Sequence, residues 1–497
     1  MRPATPAFRP KPVLIPAAPA DSAAPTETKL VNIRRLIWLY FWLLIIEGAL
    51  RKWVFPQLSN PLLIVRDPVL LLAYALAVRA RVFPKNWWVI SLGIIGALSF
   101  LVSFVSLWLY LPPSRILLVV GYGFRSNFLH LPLIFLLPNV LRAEDVKRFG
   151  WWTLALVVPM AVLMVGQFQA APDAFLNRTA GGEGEMMMSA MGKVRTAGTF
   201  SFVVGVAAYF ALASGFLVWA VLRGGVYKNW LLFAAGAAIV IGIAVSGSRT
   251  VVGACATVVG SLLLVFFVRP TAVNRAGQTL LVTLIFGLIV TQTPIFKEGM
   301  LVLSTRFAEA AEATDKSVGM GLVERFFDSF RDAGYVFTRA PFLGYGLGIG
   351  TNAGAKFLTG RVMFLLSEGE WSRIFLESGP VLGGTFVLWR CALVIGLGVL
   401  CVRSVRAGNL LPLLLFSSCF ILLGNGQLGQ PTILGFTVFA SGLALAARKL
   451  DTDNDSPAEL ATVPAAAPRV PRSSPYASRL HGEHVEAEHE VKSVERL

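Results

Sequence analysis

Charged residues are scarce in this chain: they make up 14% of its 497 residues, while 55% are hydrophobic and the mean hydropathy is +0.67. Soluble domains contain about 25% charged residues, so this composition excludes a soluble globular protein. The apolar residues instead arrive in blocks of roughly 20, the length of a helix that crosses about 30 Å of hydrocarbon. The sequence therefore predicts an all-α polytopic membrane protein.

Cysteine and histidine are also scarce. The four cysteines lie in apolar segments without a CxxC pair, which supports neither a disulfide framework nor a zinc site. Of the four histidines, only His130 lies in the apolar part of the chain, and the other three stand in the polar C-terminal tail. The sequence therefore predicts no metal centre and no other cofactor.

About twelve apolar spans divide the chain into five regions. We expect a disordered cytoplasmic arm at 1–35, spans 1–9 at 36–295, a long extracytoplasmic loop at 296–373, spans 10–12 at 374–447 and a disordered cytoplasmic tail at 448–497. The individual spans are 36–55, 61–78, 87–109, 116–141, 151–168, 199–222, 229–247, 250–268, 279–295, 374–402, 410–426 and 430–447. Glycines near Arg125 interrupt span 4, and the sequence leaves open whether they break it.

The net charge of +16 reports mainly on topology. Alternate short loops, together with the end of the last span, hold fourteen basic residues against two acidic ones, whereas loop 169–198 has three of each and loop 296–373 has nine of each. Because basic residues concentrate on the cytoplasmic side, both termini are predicted to be cytoplasmic and the two long loops to face outwards. This distribution removes the support for a nucleic-acid partner.

Loop 296–373 is far longer than a connection between neighbouring helices requires, and long ordered loops are usually functional. Apolar residues at 322, 323, 326, 327 and 330 predict an amphipathic helix, which lies either on the membrane surface or on the rest of its own domain. Arg339 and a glycine-rich run at 344–350 follow. The run predicts a turn, with an amide nest for an anionic ligand as the alternative.

Two arginines lie at the outward ends of spans. Arg249 follows Ser246-Gly-Ser in the turn between spans 7 and 8, and Arg195 precedes the point where the chain re-enters the membrane at Thr199. Charges near membrane depth are costly and are usually functional. If these two ends meet, their guanidinium groups can hold a phosphate or pyrophosphate. Snorkelling to lipid phosphate is the structural alternative for each arginine.

Carboxylates and arginines crowd the boundary between the long loop and span 10. Glu370, Arg373 and Glu377 are spaced i, i+3 and i+7, on one face of any helix that begins this early, and Glu368 precedes them. A carboxylate here can accept the proton of an attacking hydroxyl, and an interfacial salt-bridge network is the alternative. Elsewhere, Arg125 either lines a water-filled cavity or pairs with Asp67.

These patterns together resemble the O-antigen ligase and Wzy-type polymerase family of bacterial integral membrane glycosyltransferases. The resemblance covers roughly residues 36–447 and depends on the number of spans and on the long outward loop between spans 9 and 10. It also depends on four short patterns, which are Arg195-Thr-Ala-Gly-Thr-Phe, Ser246-Gly-Ser-Arg249, Pro341-Phe-Leu-Gly-Tyr-Gly-Leu-Gly and Glu377-Ser-Gly-Pro-Val-Leu-Gly.

The resemblance implies a GT-C-like fold and a metal-independent, inverting transfer of glycan from undecaprenyl pyrophosphate at the outer face of the cytoplasmic membrane. The acceptor is a glycan or a lipid, and membrane lipids and polysaccharide-assembly proteins are the implied partners. Arg195 and Arg249 correspond to the arginines that bind the lipid pyrophosphate. The implied substrate cavity contains Arg125, Arg339, Arg373 and Glu377.

The resemblance leaves the catalytic base open. Many members of the family carry a His-Asn pair where this chain has Gly369, Glu370 and Trp371, and loop 296–373 contains no histidine. Either Glu370 or Glu368 takes the role of the base, or this chain is a divergent member of the family with altered chemistry. A polymerase is preferred over a ligase because nothing points to a lipid A-core acceptor. A transporter of lipid-linked oligosaccharide is the alternative, although no internal repeat supports it, and a non-catalytic assembly scaffold is a third reading.

Overall fold

The computed structural model describes residues 27–182, 188–269, 289–312 and 318–450. Within these ranges the chain is all-helical, and its only strand-like feature is an isolated bridge between Met188 and Val194. All of these residues belong to one compact unit, Met1–Thr452. Residues 451–497 of the predicted tail and residues 1–26 of the predicted N-terminal arm lie outside the described residues. Residues 27–35, expected in that arm, are helical.

Eighteen α-helices are described. In chain order they are α1 (Glu27–Ala49), α2 (Ser59–Leu62), α3 (Arg66–Arg79), α4 (Trp87–Leu107), α5 (Pro113–Phe124), α6 (Leu133–Val140), α7 (Ala143–Gln169), α8 (Val203–Arg223), α9 (Asn229–Val245), α10 (Arg249–Val268), α11 (Pro294–Glu312), α12 (Val318–Phe337), α13 (Asn352–Thr359), α14 (Glu370–Ser378), α15 (Gly384–Arg406), α16 (Leu411–Ser417), α17 (Phe420–Asn425) and α18 (Pro431–Ala446). Turns of π-helix follow α1, α5 and α14, at Leu50–Val54, Arg125–Leu129 and Gly379–Gly383.

Seven helical segments of the described chain are long and apolar enough to cross a membrane. They are Pro56–Arg79, Trp87–Leu107, Ala143–Gln169, Val203–Arg223, Arg249–Val268, Glu370–Arg406 and Pro431–Lys449. An eighth span results if the bent pair formed by Pro113–Leu129 and Leu133–Val140 is counted as one. The chain is therefore built as a helical membrane protein, as its composition predicts.

Two helices occupy the centre of this assembly. The rest of the protein buries 83% of the apolar part of α8 and 78% of that of Pro431–Lys449, the segment that contains α18. In α10, by contrast, only 22% is buried. The uncovered surface of α10 is itself apolar, with Phe267 79% and Leu263 67% exposed. A helix that is apolar on its outer face is suited to contact with lipid rather than water.

Predicted spans 4 and 11 are interrupted. Span 4 bends by 44° between the π-turn that begins at Arg125 and helix α6, whose N-cap is Pro132. Proline lacks the N–H that would continue the preceding helix, so the break falls after the glycines rather than at them. Residues 410–426 form two short helices, α16 and α17. Most of predicted span 9 lies outside the described residues.

The long loop is largely helical and packs on its own domain. Phe330 and Phe337 of α12 make edge-to-face contacts with Trp371 and Phe375 of α14, at ring distances of 4.7 and 5.1 Å. The sequence allows this amphipathic helix to lie either on the membrane surface or on its own domain. The contacts of its described side chains show that it packs on its own domain, against α14.

Candidate functional site

Four charged side chains form a buried quartet at the start of α14 and in α15. Helix α14 begins at Glu370, so Glu370, Arg373 and Glu377 share one face, as their spacing predicts. Arg373 lies between the two carboxylates, with Nε 3.0 Å from Glu370 Oε2 and Nη1 2.6 Å from Glu377 Oε2. Arg390 of α15 donates to Glu370 Oε1 over 2.8 Å. The quartet has no net charge, and each member is at most 4% exposed.

Both oxygens of Glu370 are occupied. Oε1 accepts hydrogen bonds from Arg373 Nη2, Arg390 Nη1 and the backbone N–H of Leu428, and Oε2 accepts one from Arg373 Nε. The other donors of Arg390 bind backbone carbonyls around the end of α17, at Leu422, Leu423 and Gly426. Glu370 therefore ties α14 and α15 to the turn before α18. To accept a substrate proton it would have to release one of these donors.

The glycine-rich run packs directly on Glu377. Gly344, Gly346 and Gly348 have φ values of 72°, 119° and 90°, a region that favours glycine. A Cβ on Gly348 would overlap the carbonyl oxygen of Val119, so α5 and this turn approach closely only because the side chain is absent. The N–H of Gly350 donates to Glu377 Oε1 over 2.9 Å. The run is a turn, and the anion bound at Gly350 is the protein's own carboxylate.

A small, open pocket lined mainly by polar side chains lies against the quartet. It is lined by Gly350, Thr351, Asn352, Phe364, Ser367, Glu368, Glu370, Arg373, Gln427, Gly429 and Gln430. Glu368 is the exposed carboxylate of this lining. The Oδ1 of Asn352 is buried and accepts no hydrogen bond from the described residues. Amide, hydroxyl and carboxylate groups beside one aromatic ring are suited to a ligand rich in hydroxyl groups.

Gln427 and Gln430 shape one wall of the pocket. Gln427 Nε2 donates to the backbone carbonyl of Glu368 over 2.6 Å, and Gln430 Nε2 donates to Gln427 Oε1. This chain of hydrogen bonds links the turn before α18 to the segment that carries Glu368. It fixes the backbone of Glu368 and leaves its carboxylate exposed.

The segments of Arg195 and Arg249 meet. The turn at Gly247 packs on Ser189 and approaches the side chain of Arg195, so that a Cβ on Gly247 would lie 4.0 Å from Arg195 Cγ. Thr196 Oγ1 donates to the carbonyl of Val245 over 3.2 Å, and Arg249 is the first residue of α10. Both arginines are partly exposed. The structure thus brings together the two ends that the sequence could only place separately.

A second buried network joins α1, α3 and the π-turn after α5. Glu47 lies 3.5 Å from Arg51 Nη1 and 3.2 Å from Arg66 Nε. Arg125 Nε donates to Asp67 Oδ2 over 2.6 Å. The sequence leaves open whether Arg125 lines a water-filled cavity or pairs with Asp67, and the described contacts show that it pairs with Asp67. Glu47 and Arg51 form an i, i+4 pair on the same helical stretch.

His130 belongs to this second network. Its Nε2 lies 2.9 Å from Asp67 Oδ1, and its Nδ1 lies 2.9 Å from the hydroxyl of Tyr40. Both ring nitrogens are therefore used within the protein. In the part of the chain that the structure describes, no group of three His, Cys, Asp or Glu side chains is placed to hold a metal ion.

The residues assigned to a substrate cavity are divided among several places. Arg373 lines the polar pocket, whereas Glu377 lies fully buried beneath it and Arg125 lies in the second network. Arg339 is exposed, with its guanidinium 3.8 Å from the ring centre of Tyr335, and it is outside the pocket lining.

Sequence reasoning missed Arg390 and the Gln427–Gln430 turn. Arg390 lies within predicted span 10, and an arginine inside an apolar span is itself a signal of a buried partner. Gln427 and Gln430 lie at the gap between predicted spans 11 and 12, where their polarity is unremarkable. Only the fold places them beside Glu368.

Comparison with known proteins gives no relative. No family model matches this chain, and neither a curated protein nor a solved structure is similar to it.

Proposed function

We propose that this protein is a glycosyltransferase of surface polysaccharide assembly that takes its glycan from undecaprenyl pyrophosphate. The observation that carries the proposal is the polar pocket, where an exposed carboxylate, Glu368, stands beside a buried and charge-balanced quartet. The meeting of the Arg195 and Arg249 segments adds support, since a pyrophosphate leaving group needs positive charge nearby. The sequence resemblance supplies the identity of the donor lipid.

The proposed topology has twelve spans, with both termini in the cytoplasm and the loop 296–373 on the outer side of the bacterial cytoplasmic membrane. The support for it is the concentration of basic residues in alternate short loops. In this arrangement Arg195, Arg249 and Glu368 all lie on the outer side.

The proposed chemistry needs a base and a stabilised leaving group. The carboxylate of Glu368 accepts the proton of an acceptor hydroxyl, and the hydroxyl oxygen forms a bond to the anomeric carbon of the donor sugar. The bond from that carbon to the pyrophosphate oxygen breaks with inversion. The guanidinium groups of Arg195 and Arg249 stabilise the charge that develops on the departing undecaprenyl pyrophosphate. Glu370 acts as a positioning residue, because donors from Arg373, Arg390 and Leu428 engage both of its carboxylate oxygens.

The test is transfer by the purified protein in nanodiscs that contain undecaprenyl-pyrophosphate-linked repeat units, with the products sized on a gel. Longer lipid-linked chains identify a polymerase, which we prefer, and transfer only to an added acceptor identifies a ligase. Arg249→Ala is expected to abolish transfer without unfolding the protein, while the exposed Arg406→Ala retains it. If no native donor yields a new glycosidic bond, but the protein in sealed liposomes moves labelled lipid-linked oligosaccharide across the bilayer, the protein is a transporter and the proposal fails.

A further inference from the structure

The second buried network carries more positive than negative charge. We call it the basic network. It consists of the ion-paired residues Glu47, Arg51, Arg66, Asp67 and Arg125, together with Lys52, which follows Arg51 in the same buried turn. Four cations face two carboxylates, and every member is at most 9% exposed. In the Glu370 quartet, by contrast, two arginines balance two glutamates. Unpaired charge buried in a membrane protein is costly, so the excess of positive charge in the basic network favours the binding of an anion.

Lys52 has few acceptors for a buried cation. It is 2% exposed, and among the described residues no carboxylate lies within 4 Å of its ammonium group. Its Nζ donates one hydrogen bond, to the carbonyl of Gly198 over 2.6 Å, and lies 4.4 Å from the ring centre of Trp53. An ammonium group has three donors, so two of them have no acceptor in the described protein.

Arg125 is a second cation of the basic network with an unused hydrogen-bond donor. Its Nε and Nη2 donate to Asp67 and to the carbonyl of Leu63, but its Nη1 is buried and has no hydrogen-bond partner in the described chain. A buried guanidinium donor without an acceptor costs about 1–3 kcal/mol or more. Two separate cations of one network thus retain unused donors.

The surroundings indicate that the anion belongs to a lipid. The turn that carries Arg51 and Lys52 also carries Val54, Phe55 and Leu58, which are 55%, 47% and 50% exposed. This stretch lies directly after α1 and leads into the apolar segment Pro56–Arg79. Exposed apolar side chains beside unused cationic donors match the two halves of a phospholipid, its acyl chain and its phosphate.

We propose that the basic network binds the phosphate group of a membrane lipid, with Lys52 and Arg125 as the principal donors. The shared chemistry is a lipid phosphate, whether of an anionic phospholipid or of undecaprenyl pyrophosphate. The proposal is independent of glycosyl transfer, since it rests only on the charge and contacts of this network.

The test is thermal unfolding of the full-length protein in detergent micelles with an added lipid. The three additions are phosphatidylglycerol, undecaprenyl pyrophosphate and a phosphate-free galactolipid. A ligand that binds only the folded protein raises Tm, so a phosphate lipid is expected to raise Tm and the galactolipid is not. The phosphate lipid that acts at the lower concentration identifies the source.

Lys52→Met tests the assignment. It is expected to weaken phosphate-lipid binding about tenfold through the loss of one charge-assisted hydrogen bond. The matched control, Arg79→Met at the exposed end of α3, is expected to keep the full shift. If Lys52→Met does not yield folded protein, Arg125→Gln replaces it with the same expectation. Equal Tm with all three lipids, or a full shift in the folded Lys52 or Arg125 variant, overturns the proposal.

Discussion

Two neighbouring carboxylates, Glu368 and Glu370, have opposite surroundings. Glu370 is 3% exposed and accepts hydrogen bonds from two arginines and a backbone N–H, whereas Glu368 is exposed at the pocket. A general base needs a free lone pair directed at the substrate, and a positioning residue needs firm contacts. The structure therefore gives reason to choose between two candidates that the sequence treats alike.

Glu368→Gln is expected to reduce the transfer rate about 100-fold or more, since general-base catalysis contributes about 10²–10⁴-fold. Because the side chain is exposed, the thermal unfolding temperature should not change. The control is Asp332→Asn, another exposed carboxylate of the same loop. A rate within threefold of the unmodified protein would remove Glu368 from the mechanism.

Arg390→Met is expected to destabilise the fold by about 3–5 kcal/mol, because it leaves Arg373 alone to balance the two buried carboxylates Glu370 and Glu377. It also removes the donor to the carbonyls of Leu423 and Gly426. Chemical unfolding in detergent measures the change, with the exposed Arg406→Met as control. Equal stability of the two variants would show that the quartet does not hold α14, α15 and the turn before α18 together.

At the scale of the elements, the glycine-rich run joins the loop to the spans. It packs on α5 through Gly348 and on α14 through Glu377, so the pocket is held by helices distant in sequence. The alternation of glycine in the sequence predicts a turn but does not tell which helix it meets. That information depends on close backbone approaches, here between Gly348 and Gly123, which no local pattern encodes.

Gly348→Ala is expected to destabilise the protein by about 1–3 kcal/mol, because alanine is strained at a φ of 90° and its Cβ meets backbone. Gly334→Ala, in the open on α12, is the matched control and should stabilise the protein by about 0.5–1 kcal/mol. Thermal unfolding distinguishes the two. A Gly348→Ala protein as stable as the control would contradict the close packing of α5 on this turn.

The helical spacing of Glu370, Arg373 and Glu377 could be predicted because it depends only on the 3.6-residue period. Arg390 and Leu428, which complete the quartet, come from other elements and could not. The position of the break in predicted span 4 could not be predicted either, since it lies at Pro132, after the glycines. Local periodicity thus predicted the face of one helix, and tertiary packing determined its partners.

At the scale of the whole molecule, hydrophobic blocks and low charge were sufficient to predict a helical membrane protein. Interrupted spans are harder to predict, because a block such as 410–426 has the composition of one span but forms two short helices, α16 and α17. Hydropathy measures the free energy of transferring residues from water to lipid, and it contains no information on where a helix bends inside the protein.

Topology can be tested by labelling single cysteines with a membrane-impermeant maleimide. Asp332→Cys in the long loop is expected to react when the reagent is outside intact spheroplasts. Arg406→Cys, between predicted spans 10 and 11, is expected to react only after permeabilisation. The background protein serves as the control, because three of its four cysteines are buried and the fourth is partly so. The opposite pattern of labelling would reverse the orientation.

The central claim is that the protein forms glycosidic bonds at the expense of undecaprenyl pyrophosphate. Its most direct test is mass-spectrometric counting of new glycosidic bonds and of released undecaprenyl pyrophosphate, with purified protein, lipid-linked repeat units and EDTA. We expect one released undecaprenyl pyrophosphate for each new glycosidic bond, and we expect Arg249→Ala to abolish both the release and the new bond. Release of the lipid without a new bond, or neither product from any native donor, would contradict it.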